Sequence, residues 1–479
     1  MRRSLLLAIM MLGFLPVKAQ APTPEQFLGY PLGTRFTPHY KVVDYFRQVA
    51  TAVKNVKLEQ YGSTYEGRAL IMAIVASPEN YSRLEEIRQH SLDMSNAMGN
   101  GSGNQPVIVW LSYNVHGNEA VSTEAAMKTL YELADNGNAQ TQQWLKNTVV
   151  IIDPCLNPDG RERYVSFYNS VRSLQPDVQR YSREHNEPWP GGRSNHYYFD
   201  LNRDWAWQTQ KESEERVAKY NQWMPQVHVD FHEQEIEAPY YFAPAAEPFH
   251  EVITPWQRQM QVMIGKNNAK YFDQQGWLYF TKERFDLFYP SYGDTYPMYN
   301  GAIGMTYEQG GSGRAGLAVL KKDGDTLTLA ERINHHYATG MSTIEVASQN
   351  AGKIISEYVR YFEAAKKTPR GVYKSYVVKA GNMEKLHSLA ALLRKNNIAF
   401  GFGAATGNAT GLNYFTGKTE AFSISREDLV ISAYQPHSNM LRVLFEPVSH
   451  LSDSVTYDIT SWALPYAYCL TSYAVKQSL

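Results

Sequence analysis

The chain has 479 residues, 43% of them hydrophobic and 19% charged, with a formal net charge of −1. That length favours two domains over one, and the composition excludes a disordered or fibrous chain. The near-neutral charge gives no bulk electrostatic reason to expect a nucleic-acid or anionic-membrane partner.

In chain order, the first predicted element is an export signal. Arg2 and Arg3 precede an apolar stretch from Leu5 to Val17, and Val17 and Ala19 put small residues before a cleavage point. Residues 1–19 are therefore read as a signal peptide, and the mature chain as periplasmic or secreted. The apolar run falls short of the roughly 20 residues that span a bilayer, so no permanent span is expected, with an uncleaved anchor as the alternative.

Four apolar runs then read as buried strands. They are VIVWLSY (107–113), TVVIIDPCLNPDG (148–160), PQVHVDFHE (225–233) and GAIGMTYEQGG (301–311), with helical periodicity between them, as in VSTEAAMKTLYELA (121–134). Alternation of this kind predicts an α/β fold, a mostly parallel mixed sheet with helices on both faces, whose ligands gather beyond the C-terminal strand ends. His116, Asn157, His232 and Glu308 all fall at such ends. A helical region from about 327 to 367 and the segment KKTPRGVYK suggest a boundary. The expected units are thus a catalytic domain over 20–367 and a smaller C-terminal α/β unit over 368–479. The latter has strands in SYVVKA, IAFGF and DLVISAY and a helix in MEKLHSLAALLRKN. Cys155 and Cys469 fit no zinc or redox spacing and read as two buried free thiols, with a disulfide as the alternative.

His-x-x-Glu occurs twice, at His116/Glu119 and His232/Glu235, and alone each is weak. Zinc takes His nitrogen and carboxylate oxygen, and a catalytic site uses three protein ligands with the fourth position open. His116 and Glu119 supply two, and His232 is the preferred third. His228 shares its strand face but lies farther from the strand end.

The ordered set HGNE (116–119), NPDG (157–160), FDLNRDW (199–205), DFH (230–232) and MTYEQGG (305–311), with YGSTYEGRALIMAIV (61–75) before it, resembles the zinc carboxypeptidase family of the carboxypeptidase A type, in an exported bacterial subgroup. The resemblance runs from about Tyr30 to Gly316. It implies one Zn²⁺ held by His116, Glu119 and His232. Asp200 would orient a ligand histidine, although a helix N-cap explains it as well. Asn202 and Arg203 would grip the substrate's terminal carboxylate, for which a guanidinium offers two parallel donors. Glu308 would act as general base on zinc-bound water.

Arg193, with Arg183 behind it, is the candidate for stabilising the oxyanion. Tyr289 is chosen over Tyr292 and Tyr296 as the mobile tyrosine. Asp294 falls near the position that reads the terminal side chain. Asn118 and Asp204 depart from the digestive members' pattern; the first removes a positive charge from the outer substrate subsite, which touches substrate preference more than catalysis. Beyond the catalytic part, ISAYQP, VLFEP and DSVTYDITSWALPYAY resemble material that often follows it, and often continues into a further domain, so the chain reads as a short or truncated form. The expected activity is hydrolysis of C-terminal peptide bonds in a peptide or protein with a free C-terminus. A cell-wall peptide amidase on the same zinc site, and an inactive peptide- or glycan-binding protein, are the alternatives.

Overall fold

The computed structural model describes residues 20–99, 105–404, 406–451, 456–458 and 461–479. The expected signal, residues 1–19, lies outside them. Among the described residues no helix is long and apolar enough to cross a membrane.

Eight strands form the main sheet: β1 (Val56–Ser63), β2 (Ala69–Val75), β3 (Val107–Tyr113), β4 (Thr148–Asp153), β5 (Val227–Gln234), β6 (Tyr240–Tyr241), β7 (Tyr279–Phe280) and β8 (Ile303–Gly310). Their spatial order is β1-β2-β4-β3-β5-β8-β6-β7. The central strands β4, β3, β5 and β8 pair in parallel, whereas β1, β2 and β6 join antiparallel. β3 and β4 are buried along their whole length, which is why they read as unbroken apolar runs. Helices close both faces. Phe231 of β5 meets His336 of helix Leu329–Gln349 at 5.2 Å between ring centroids, while Trp110 of β3 meets Tyr220 of helix Lys211–Trp223 at 6.0 Å on the other face. Burying each such valine, leucine or isoleucine contributes roughly 1.5–3 kcal/mol.

The region expected to be helical holds two helices, Leu329–Gln349 and Ala351–Lys367. Beyond it lies a six-stranded sheet in which every pair is antiparallel, flanked by helices Met383–Lys395 and Ser438–Phe445. Of IAFGF only Gly401–Phe402 forms a strand, on an edge. One continuous apolar cluster runs through both sheets. Cys155 and Cys469 are both free, but only Cys155 is buried; Cys469 sits exposed on the turn after helix Leu464–Ala467, which corrects the expectation of two buried thiols.

Candidate metal centre

β3 ends at Tyr113, and the chain turns at Asn114, whose φ of 62° lies in the left-handed region that asparagine tolerates. Its side-chain amide donates to the carbonyls of His116, Gly117 and Glu119, at 2.7, 3.2 and 3.0 Å, and so ties the turn into a rigid loop. Gly117 is needed there, because a Cβ would stand 2.1 Å from the Arg161 nitrogen at the start of helix Pro158–Val171. The HGNE turn thus lies against NPDG. Asn157 of that motif caps the helix through Gly160 N–H (3.0 Å) and also donates to the Arg193 carbonyl (3.1 Å), which Gly117 N–H approaches at 3.4 Å. Three distant segments are fixed together by these bonds.

His116, Glu119 and His232 are all buried and their ligand atoms lie within 4.8 Å of one another. Both imidazoles present Nδ1 to the centre, 3.2 Å apart, with Glu119 Oε1 2.8 Å from one and Oε2 3.0 Å from the other. The outer nitrogens are held by carboxylates: His116 Nε2 lies 2.9 Å from Asp200 Oδ1, and His232 Nε2 lies 3.0 Å from Asp230 Oδ2. Protons kept on Nε2 leave the Nδ1 lone pairs facing each other beside a carboxylate. Such a set of donors repels itself unless a cation sits between them. The donors fit zinc, with room left for a fourth position.

Asp200 is placed where both roles weighed for it are geometrically open. Its Oδ1 accepts from His116 and also from Asn202 N–H (2.9 Å), capping the short turn Leu201–Arg203. Asp230 was not singled out in the sequence, although its place two residues before His232, on the same strand face, is a signal that points to it. Its surroundings leave no slack: a Cβ on Gly293 would lie 1.9 Å from Asp230 Oδ2. His228 lies one step deeper on that face, fully buried, with Nε2 2.9 Å from Ser112 Oγ. Glu235, of the second His-x-x-Glu, turns to solvent.

The three donors line a cavity of about 700 Å³ together with Arg193, Asn202, Arg203, Tyr292, Asp294, Thr306, Glu308 and Tyr457. Glu308 stands opposite His232 in the β5–β8 pairing. Among the described residues nothing hydrogen-bonds its carboxylate. Burial pushes its pKa up to about 8, with Glu119 and Asp230 adding to the rise and His232 and Arg193 opposing it. Arg193 reaches Asp200 Oδ2 (2.9 Å) and Glu119 Oε1 (3.3 Å) from a half-exposed position. Arg183 lies instead over the Phe167 ring, 4.7 Å from its centroid. Asn202 Oδ1 accepts from Gly293 N–H (2.8 Å), and its Nδ2 lies 3.4 Å from His232 Nε2.

Asp294 forms part of the buried floor, where it accepts from Thr306 Oγ1 (2.9 Å) and Thr295 N–H (2.7 Å). Burial, aided by Asp230, lifts its pKa to about 7 against those hydrogen bonds. Tyr289 is not among the lining residues: its hydroxyl donates to the Arg203 carbonyl (3.2 Å) and accepts from Trp207 Nε1 (2.9 Å). Of the three candidates it is Tyr292 that lines the cavity, while Tyr289 packs on Trp462. Arg203 stacks on Tyr292, 4.7 Å from the ring centroid, and its Nε lies 2.8 Å from Oδ2 of Asp458, a residue of the C-terminal segment that no motif places here.

Two imidazoles and a carboxylate around an open position are compatible with a mononuclear metal site of the catalytic type. Residues 42–264 match the model of the zinc carboxypeptidase family. The matched range contains all three donors and stops short of Glu308. No curated protein matches the sequence.

Among solved structures, the chain is similar to a metallo-carboxypeptidase from Burkholderia cenocepacia, with 14% identity over 64% of this chain and 67% of that one and a TM-score of 0.45. It is also similar to a metallo-carboxypeptidase from Pseudomonas aeruginosa, in complex with (2-guanidinoethylmercapto)succinic acid, with 12% identity over 66% and 68% and a TM-score of 0.43. A third is carboxypeptidase A from Helicoverpa armigera, with 15% identity over 68% and 75% and a TM-score of 0.42.

Proposed function

We propose that the protein is an exported zinc metallopeptidase that hydrolyses the peptide bond next to a free C-terminus. The observation that carries this reading is the pair of inward-facing Nδ1 atoms flanking Glu119, with the Glu308 carboxylate, which has no hydrogen-bond partner among the described residues, in the same cavity. A zinc ion held there would supply Lewis acidity at the scissile carbonyl and bring the ionisation of a water towards about pH 7.

Glu308 takes the proton of the attacking water and returns it to the leaving amine. Arg193, half-exposed at the edge of the centre, offers positive charge where the carbonyl oxygen becomes negative. Arg203 and Asn202 line the end of the cavity where the substrate's terminal carboxylate would bind, and Asp294 bounds the pocket for the last side chain. Tyr292 takes the place first considered for Tyr289. Export rests on the basic and apolar N-terminal pattern of residues 1–19.

The test is Glu308→Gln. It is expected to retain one zinc per chain and to lose about 10²- to 10⁴-fold in kcat, the usual contribution of a positioned general base. A variant with zinc and full turnover would remove Glu308 from the mechanism.

A further inference from the structure

Arg203, the anchor for a substrate carboxylate in the reading above, already holds a carboxylate. Asp458 Oδ2 lies 2.8 Å from Arg203 Nε and accepts the Tyr292 hydroxyl. The preceding residue, Tyr457, lines the cavity, with its ring 5.4 Å from that of Phe285 and its N–H donating to Asp286 Oδ2 at 2.6 Å. Tyr457 therefore lies along the cavity, while the Asp458 carboxylate engages two of the residues that line it, Arg203 and Tyr292. The segment is anchored behind the site by Trp462, which packs on Phe288 and Tyr289 (5.1 and 5.8 Å) and donates to the Val443 carbonyl (2.8 Å).

We propose that Asp458 is a built-in competitor for the carboxylate anchor, so that a substrate's terminal carboxylate must displace it to reach Arg203. This rests on Arg203 being that anchor. The side chains of Arg203 and Asp458 are 31% and 33% exposed, so both ends of the pair can be rehydrated when it opens. A buried pair would resist opening; a pair this exposed is worth little and exchanges readily. Its effect falls on binding of free-acid substrates, because a second carboxylate arriving at one guanidinium meets like charge. Amidated substrates, which bring no such charge, do not compete with it in this way.

The test is a cycle on the zinc-loaded full chain with Asp458→Asn, Arg203→Ala and the double variant. A library of N-blocked peptides serves as substrate in free-acid and C-terminally amidated forms, with each variant's thermal midpoint checked first. Asp458→Asn is expected to lower KM for the acids up to about fivefold, the release of one ion pair about a third exposed, with kcat unchanged and the amidated set left uncut as in wild type. In the Arg203→Ala background the same change is expected to do nothing. If Arg203→Ala raises KM but Asp458→Asn leaves it unaltered or raises it, the competitor is overturned while the anchor stands. If Arg203→Ala has no effect on KM even in the Asp458→Asn protein, the anchor reading fails instead. No hydrolysis of the acids by wild type or Asp458→Asn overturns both.

Discussion

Removing Asp230 should weaken zinc binding without touching a ligand. His232 Nε2 lies 3.0 Å from the Asp230 carboxylate, which is wholly buried and whose charge favours a proton on Nε2, leaving Nδ1 to the centre. That contact fixes both tautomer and ring orientation. Losing an outer partner of this kind typically costs about 10- to 100-fold in metal affinity, or about 1.4–2.7 kcal/mol. Asp230→Asn keeps an oxygen that can accept from Nε2 but loses the charge, so it should fall near the lower figure; Asp230→Ala should approach the upper.

Gly293→Ala extends the same test one step further out. Its methyl would start 1.9 Å from Asp230 Oδ2, forcing the carboxylate off His232, although residue 293 is not a ligand. The assay is competition for zinc against a chromophoric chelator, with thermal melting as a check on folding. Folded Asp230→Ala and Gly293→Ala proteins that bind zinc as tightly as wild type would refute the orienting role.

His232→Ala should lose its zinc, whereas His228→Ala should keep it and unfold at lower urea by about 1–3 kcal/mol, because Ser112 Oγ is left without its buried partner. Zinc-to-protein ratios and urea titration check the pair, and the reverse pattern would exchange the two assignments. Asp294, with a pKa near 7 in the folded chain against about 3.9 unfolded, holds a proton between those values that the unfolded chain has lost. Its contribution to stability is full below about pH 4 and is lost as pH rises through about 7. Asp294→Asn should therefore show a smaller fall in thermal midpoint from pH 5 to pH 7 than wild type, and an equal fall would refute the assignment. A thiol reagent should label one cysteine in the native protein, Cys469, and two after unfolding, since burial also pushes the Cys155 thiol up to about 12.

The central sheet was legible because strands buried on both faces carry unbroken apolar runs, and the donor set because it lies where those runs stop. The strands β6 and β7, two residues each, have no periodicity to read. The choice among Tyr289, Tyr292 and Tyr296 was beyond sequence reasoning, since one turn sets which hydroxyl meets Trp207 and which faces the cavity. Asp230 could have been found from its two-residue spacing to His232. Asp458 could not: it follows Arg203 by more than half the chain, and only the docking of the C-terminal segment through Trp462 brings the two together.

The most direct measurement follows two otherwise identical peptides, one with a free C-terminal acid and one amidated, by mass spectrometry after incubation with zinc-loaded mature protein. Stepwise loss of C-terminal residues from the acid, with the amide left intact, is the expected result. Equal cleavage of both, or of neither, would contradict a carboxypeptidase anchored at Arg203.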